Sequence, residues 1–85
     1  MMIRTLYKTC FVSELLVEHR LELAELVKEL PKGVADMVRP TSVLFLEEVT
    51  DEDGITYEVV FRTSNVRIVV GRYGDYNEPI PACLS

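Results

Sequence analysis

The hairpin at the centre of the chain constrains the fold more than any other feature. Residues 43–49 and 55–62 are β-rich runs, and Thr50-Asp51-Glu52-Asp53-Gly54 joins them with an Asp-Gly pair suited to the positive-φ positions of a tight reversal. A third run, residues 66–70, follows Thr63-Ser64-Asn65 after another reversal, so the second half reads as an antiparallel meander. Residues 71–76 form the next turn, ahead of a short tail strand around Ile80.

The first half is helical in character. Ser13 followed by Glu14, with Leu15 and Leu16 behind, resembles a helix start: a serine oxygen caps free amides, and early acids suit the positive helix end. Two divisions of the segment from Ser13 to Pro40 stand open. Propensity alone runs one helix over residues 13–30, with Leu16, Leu23, Leu26 and Leu30 near heptad positions. The other division has a short helix to about His19, an extended stretch over residues 21–27, and a second helix started by Pro31 that ends before Pro40. Residues 1–10 form a lead in which Ile3, Thr5 and Tyr7 alternate with Arg4, Leu6 and Lys8, the pattern of an added strand. The fold class is therefore α+β, an antiparallel sheet of four to five strands with two helices packed on it.

Eighty-five residues hold one domain with a small core, and an apolar content of 48% is enough to fill it. The longest apolar runs, such as Val43-Leu44-Phe45-Leu46, are far too short for a membrane span, and the amino terminus lacks the layout of a signal peptide. An intracellular, cytoplasmic protein is expected. Cys10 and Cys83 lie near opposite ends without CxxC spacing, so they read as idle free thiols rather than a disulfide framework or a zinc site.

Charge is segregated. The net charge is -5, but from Ser13 to Glu58 twelve carboxylates face only Arg20, Lys28, Lys32 and Arg39, a local balance of -8. Such a surface repels nucleic acid and attracts basic protein surfaces. Arg62, Arg67 and Arg72 make the one basic stretch, and on strands they pair with Glu47, Glu48 or Glu58 across the sheet.

Catalytic chemistry has little to draw on. His19 is the only histidine and has neither cysteine near it in sequence; a lone helix histidine is a core or surface residue far more often than a catalyst. The Asp51 to Asp53 acids lack the later ligands of a calcium loop. Gly71 and Gly74 flank Arg72-Tyr73 with no phosphate-binding lysine and no following helix. No metal, cofactor or enzymatic activity is expected.

The order of the motifs resembles the small phage-encoded inhibitors of uracil-DNA glycosylase. The pieces are Ser13-Glu14-Leu15-Leu16 with Glu18, Glu25 five residues before Leu30-Pro31, and Val34 in the second helix. Val43-Leu44-Phe45, the acidic Asp51 to Asp53 turn, Val59 and Val60 before Thr63-Ser64, Ile68-Val69-Val70 and Asn77-Glu78 continue the series. The likeness spans residues 12–80, leaves residues 1–10 uncovered, and rests on collinearity of short pieces. It implies a monomer that binds the glycosylase one to one, binds neither nucleic acid nor membrane, and works in the host cytoplasm. An acid-bearing strand edge of Glu25, Leu26 and Val27 would lie where the DNA backbone lies, Asp36 would add a helix carboxylate, and Glu29 would replace the helix acid whose place Gly33 takes. Val34, Met37, Val38, Phe45, Val60 and Val69 would line an apolar pocket for the side chain with which the enzyme invades the base stack.

Overall fold

The computed structural model describes residues 1–74. The lead segment is a strand, β1 (Met2–Phe11), and is followed by a single 3-10 turn, Val12–Glu14. Next come helix α1 (Val17–Lys28), a one-turn helix α2 (Lys32–Ala35), and three strands: β2 (Val43–Asp51), β3 (Gly54–Arg62) and β4 (Arg67–Tyr73). The four strands form one antiparallel sheet in the order β1-β2-β3-β4, and α1 packs on one of its faces.

The reversals follow the expected chemistry. Asp51 pairs with Gly54, the Asp51 carboxylate accepts the Asp53 N–H at 2.8 Å, and Gly54 carries the positive φ of +122°. At the β3–β4 reversal the Thr63 hydroxyl accepts the N–H groups of Asn65 and Val66, each at 3.2 Å. Strand β4 then runs through Gly71 to Tyr73, so residues 71–73 are strand where the sequence implied a turn. The expected tail strand around Ile80, and Asn77-Glu78, lie outside the described residues.

Period-2 alternation sorts the sheet into two faces. On the helix side, Leu44, Leu46, Val59, Phe61, Ile68 and Val70 join Leu15 and Leu23 in one buried cluster. Three irregularities tune this face. Leu6 is an extra residue between the pairs Thr5–Glu47 and Tyr7–Leu46, a second shift separates Lys8 from Phe11, and a third lets both Val70 and Gly71 oppose Val59.

Helix α1 settles the open division. No strand forms over residues 21–27: His19, Leu23, Leu26 and Leu30 recur at helical spacing toward the sheet, and the place beside β2 is taken by β1. Nor does the helix begin at Ser13. Val12 and Ser13 donate to the carbonyls of Ser42 at 2.9 Å and Pro40 at 3.0 Å, which ties them to the loop before β2. Leu15 and Leu16 stay extended while Leu15 is fully buried. A short helix does follow Pro31, yet α2 has only four residues, so one substantial helix covers the sheet rather than two.

Cys10, beside the core cluster, is disulfide-bonded, which corrects the idle thiol expected there. Cys83 lies outside the described residues. No helix among the described residues is long and apolar enough to cross a membrane.

Candidate partner-binding surface

Helix α1 arranges its acids in a single row. Glu18, Glu22, Glu25 and the C-cap residue Glu29 are spaced four, three and four apart, and all are exposed. At 3.6 residues per turn they fall within a sector of about 60° and extend roughly 16 Å along the axis. The row borders the buried stripe of His19, Leu23, Leu26 and Leu30, and Val17 and Leu21, 60% and 65% exposed, lie on its outer side. Lys28 pairs with Glu25 at 3.1 Å, but both side chains are more than two-thirds exposed, so the pair contributes only tenths of a kcal/mol.

Beside this row runs a groove between α1 and strand β4. Glu22, Leu26, Glu29 and Leu30 form one wall, and residues 67–72 of β4 form the other, enclosing about 510 Å³.

Of the residues expected at the strand edge, Glu25, Leu26 and Val27 are helical: Glu25 faces solvent, whereas Leu26 and Val27 are half-buried against the core. The backbone donors and acceptors that a strand edge would offer are consumed inside α1. Asp36 is exposed at the C-cap of α2, apart from the row. The six residues expected to share a pocket divide between the two sides of the sheet. Phe45, Val60 and Val69 form one cross-strand row on the helix-free face, and Val60 is fully buried beneath its neighbours. Val38 lines a shallow hollow of about 260 Å³ on the helix side with Val12, Leu23 and Val27, while Val34 is half-buried and Met37 is 52% exposed. The division is a consequence of strand register, because odd positions of β2 face away from the helix. Glu18 and Glu22 were not among the expected contacts, although the four-three-four spacing signals them in the sequence.

The helix-free face carries the arginines. Glu47, 2% exposed, accepts Arg67 Nε at 2.9 Å and the Thr5 hydroxyl at 2.9 Å, with Arg62 Nε at 3.2 Å. Glu58 meets Arg67 Nη2 and Arg72 Nε, both at 2.8 Å. The Arg62 guanidinium also lies over the Phe45 ring, 4.4 Å from its centroid. The expected pairing of the arginine stretch with Glu47 and Glu58 is thus formed, while Glu48 pairs with Arg4 at 3.2 Å instead. Burial pushes the Glu58 carboxyl up, and Arg72 and Arg67 more than offset this, holding it below the ordinary carboxylate range.

No group of three or more His, Cys, Asp or Glu side chains among the described residues is placed to hold a metal ion. His19 Nδ1 lies 3.7 Å from Glu22, a distance too long for a hydrogen bond, and is buried without a hydrogen-bond partner. What the geometry defines is a small α+β domain with an acidic helix on one side of a sheet and, on the other, a face whose three arginines pair with two buried carboxylates. Neither family models, curated proteins nor solved structures yielded a match to the chain.

Proposed function

We propose that the protein is a binding module that presents a row of carboxylates to a basic, nucleic-acid-binding surface of another protein. Uracil-DNA glycosylase, the enzyme named by the sequence resemblance, is the partner. The observation that carries this reading is the Glu18, Glu22, Glu25 and Glu29 row. Its four charges span roughly 16 Å, over which one strand of duplex DNA places about five phosphates at 3.4 Å each along the axis. The match in charge density supports mimicry of a single strand's backbone, with Val17 and Leu21 adding apolar contact at its border. The mimicry is moved from the strand edge of the family pattern to a helix face.

A glycosylase assay tests this directly. Adding the protein to a uracil-excision reaction is expected to stop cleavage near one-to-one stoichiometry, and Glu22→Lys with Glu25→Lys is expected to relieve the block. Undiminished cleavage at large excess removes the glycosylase as partner; an equally potent charge-reversed variant removes the helix row as the surface. A host cytoplasm keeps most thiols reduced, so the circular dichroism of α1 and the sheet has to survive opening of the Cys10 disulfide by reductant.

A further inference from the structure

His19 is the one titratable side chain on the stripe of α1 that faces the sheet, where Leu23, Leu26 and Leu30 are its companions. Its side chain is 16% exposed, enough for solvent protons to reach the ring, but Nδ1 itself is buried and has no hydrogen-bond partner. A buried polar atom left in that condition costs free energy that the fold does not return, so its place asks for a functional reason.

The Glu22 carboxylate stands one turn further along the helix, with its oxygen 3.7 Å from Nδ1. That is about 0.9 Å beyond a charge-assisted N–H···O bond. Glu22 is 57% exposed and holds no hydrogen bond and no second ion pair among the described residues, so a side-chain rotation closes the gap. Glu18 precedes His19 on the same helix. From β4 comes Tyr73, whose phenol is pushed up by burial first and then by Glu18 and Glu22, so the two acids and the phenol share one neighbourhood. The bases near them are engaged or turned away: Arg20 lines the hollow with Val38 on the other flank of α1, and Arg67 and Arg72, across the groove from Glu22, are bonded to Glu58 on the helix-free face.

We infer that His19 is a proton-operated latch on the acid row: on taking up a proton, its Nδ1–H draws the Glu22 carboxylate inward, and the row presents three outward acids in place of four. The neutral ring gives Glu22 little to pair with, whereas imidazolium carries a unit charge and a proton on both nitrogens. Imidazoles change charge between about pH 5 and 8, a range in which ordinary carboxylates stay ionised, so Glu22 is there to be drawn. Linkage works in both directions. A ligand that holds Glu22 outward must expel the proton, and a proton on His19 must weaken such a ligand. That effect on a basic partner rests on the reading of the row as the binding surface; the latch itself does not.

The latch is read on the protein alone, by NMR of the His19 ring nitrogens and the Glu22 side-chain carboxyl carbon from about pH 8 to about pH 5. The Glu22 carboxyl resonance is expected to move with the same midpoint as the ring. Glu22→Gln, a change at an exposed position, is expected to lower the proton affinity of His19 about fivefold, the size of one well-placed ion pair at a helix surface, and Glu18→Gln is expected to lower it less. A Glu22 carboxyl that stays still through the ring's transition overturns the inference. So does a proton affinity that Glu22→Gln leaves unchanged, or that Glu18→Gln lowers more. A failed glycosylase titration leaves the latch standing, since both resonances are read without a partner.

Discussion

Glu47 and Glu58 are direct cross-strand partners in the β2–β3 ladder, two buried carboxylates facing each other on one side of the sheet. Like charges so placed repel. Arg67 lies between them, bonded to Glu47 through Nε at 2.9 Å and to Glu58 through Nη2 at 2.8 Å. The pair is tolerable because one guanidinium serves both.

Removal of that guanidinium is therefore expected to be among the most damaging single changes in the protein. Arg67→Ala leaves two buried carboxylates with only the outer arginines, and breaking a buried pair from one side costs about 3–5 kcal/mol. A domain of this size holds roughly 4–13 kcal/mol in all, so urea unfolding of Arg67→Ala should shift far toward lower denaturant. Replacing Arg67, Glu47 and Glu58 together by apolar residues should restore most of the midpoint. A triple variant as unstable as Arg67→Ala would mean that the network adds net stability beyond neutralising its own charges.

Acid should reveal the same network. The Glu58 carboxyl titrates lower in the folded protein than in the unfolded chain, so its contribution is complete above the unfolded value, about 4.3, and is lost as pH falls through the folded one. Melting temperature is expected to be level near neutrality and to fall below about pH 4.5. Glu58→Gln should flatten part of that fall. Tyr73 works in the opposite pH range: burial first, then Glu18 and Glu22, push its phenol up, so stability held below about pH 10 is lost above it as the unfolded chain ionises.

Gly71 owes its identity to Tyr73. A Cβ at position 71 would lie 2.9 Å from the Tyr73 hydroxyl oxygen and 3.1 Å from Cε2, because residues two apart on a strand share a face of the sheet. Gly71→Ala is expected to cost about 1–3 kcal/mol through overpacking. Tyr73→Phe should cost little, since the hydroxyl is buried without a hydrogen-bond partner. Combined, the two changes should be less harmful than their sum, as the closest clash is with the atom that phenylalanine lacks. Strict additivity in thermal unfolding would contradict this geometry.

The hairpin, the meander and the acid-arginine pairing were legible because each depends on neighbours in sequence or on period-2 spacing. Asp53-Gly54 fixes a turn, and the turn fixes which residues of β2 and β3 oppose each other. Residues 13–30 were less legible, since their outcome depends on partners far along the chain. Leu15 is buried by strands that come later, and Ser13 is diverted from capping by the Pro40 carbonyl. The division of the expected apolar pocket had the same origin. Phe45 and Val38 are both apolar in sequence, and only the register of β2 against the helix decides that they face opposite ways.

The backbone of α1 at the surface can be checked without reference to function. Leu21 is 65% exposed, so packing contributes little to its preference and intrinsic propensity decides. A β-branched side chain loses rotamer freedom against the preceding helical turn, whereas on a strand it fits the pleated surface well. Leu21→Val is therefore expected to destabilise the protein by about 0.5 kcal/mol, and Leu21→Gly by about 1 kcal/mol. A strand at this position would reverse the sign for valine while keeping glycine unfavourable. Chemical denaturation of the two variants beside the parent resolves the difference, and a gain in stability from valine would contradict the helix on which the acid row is built.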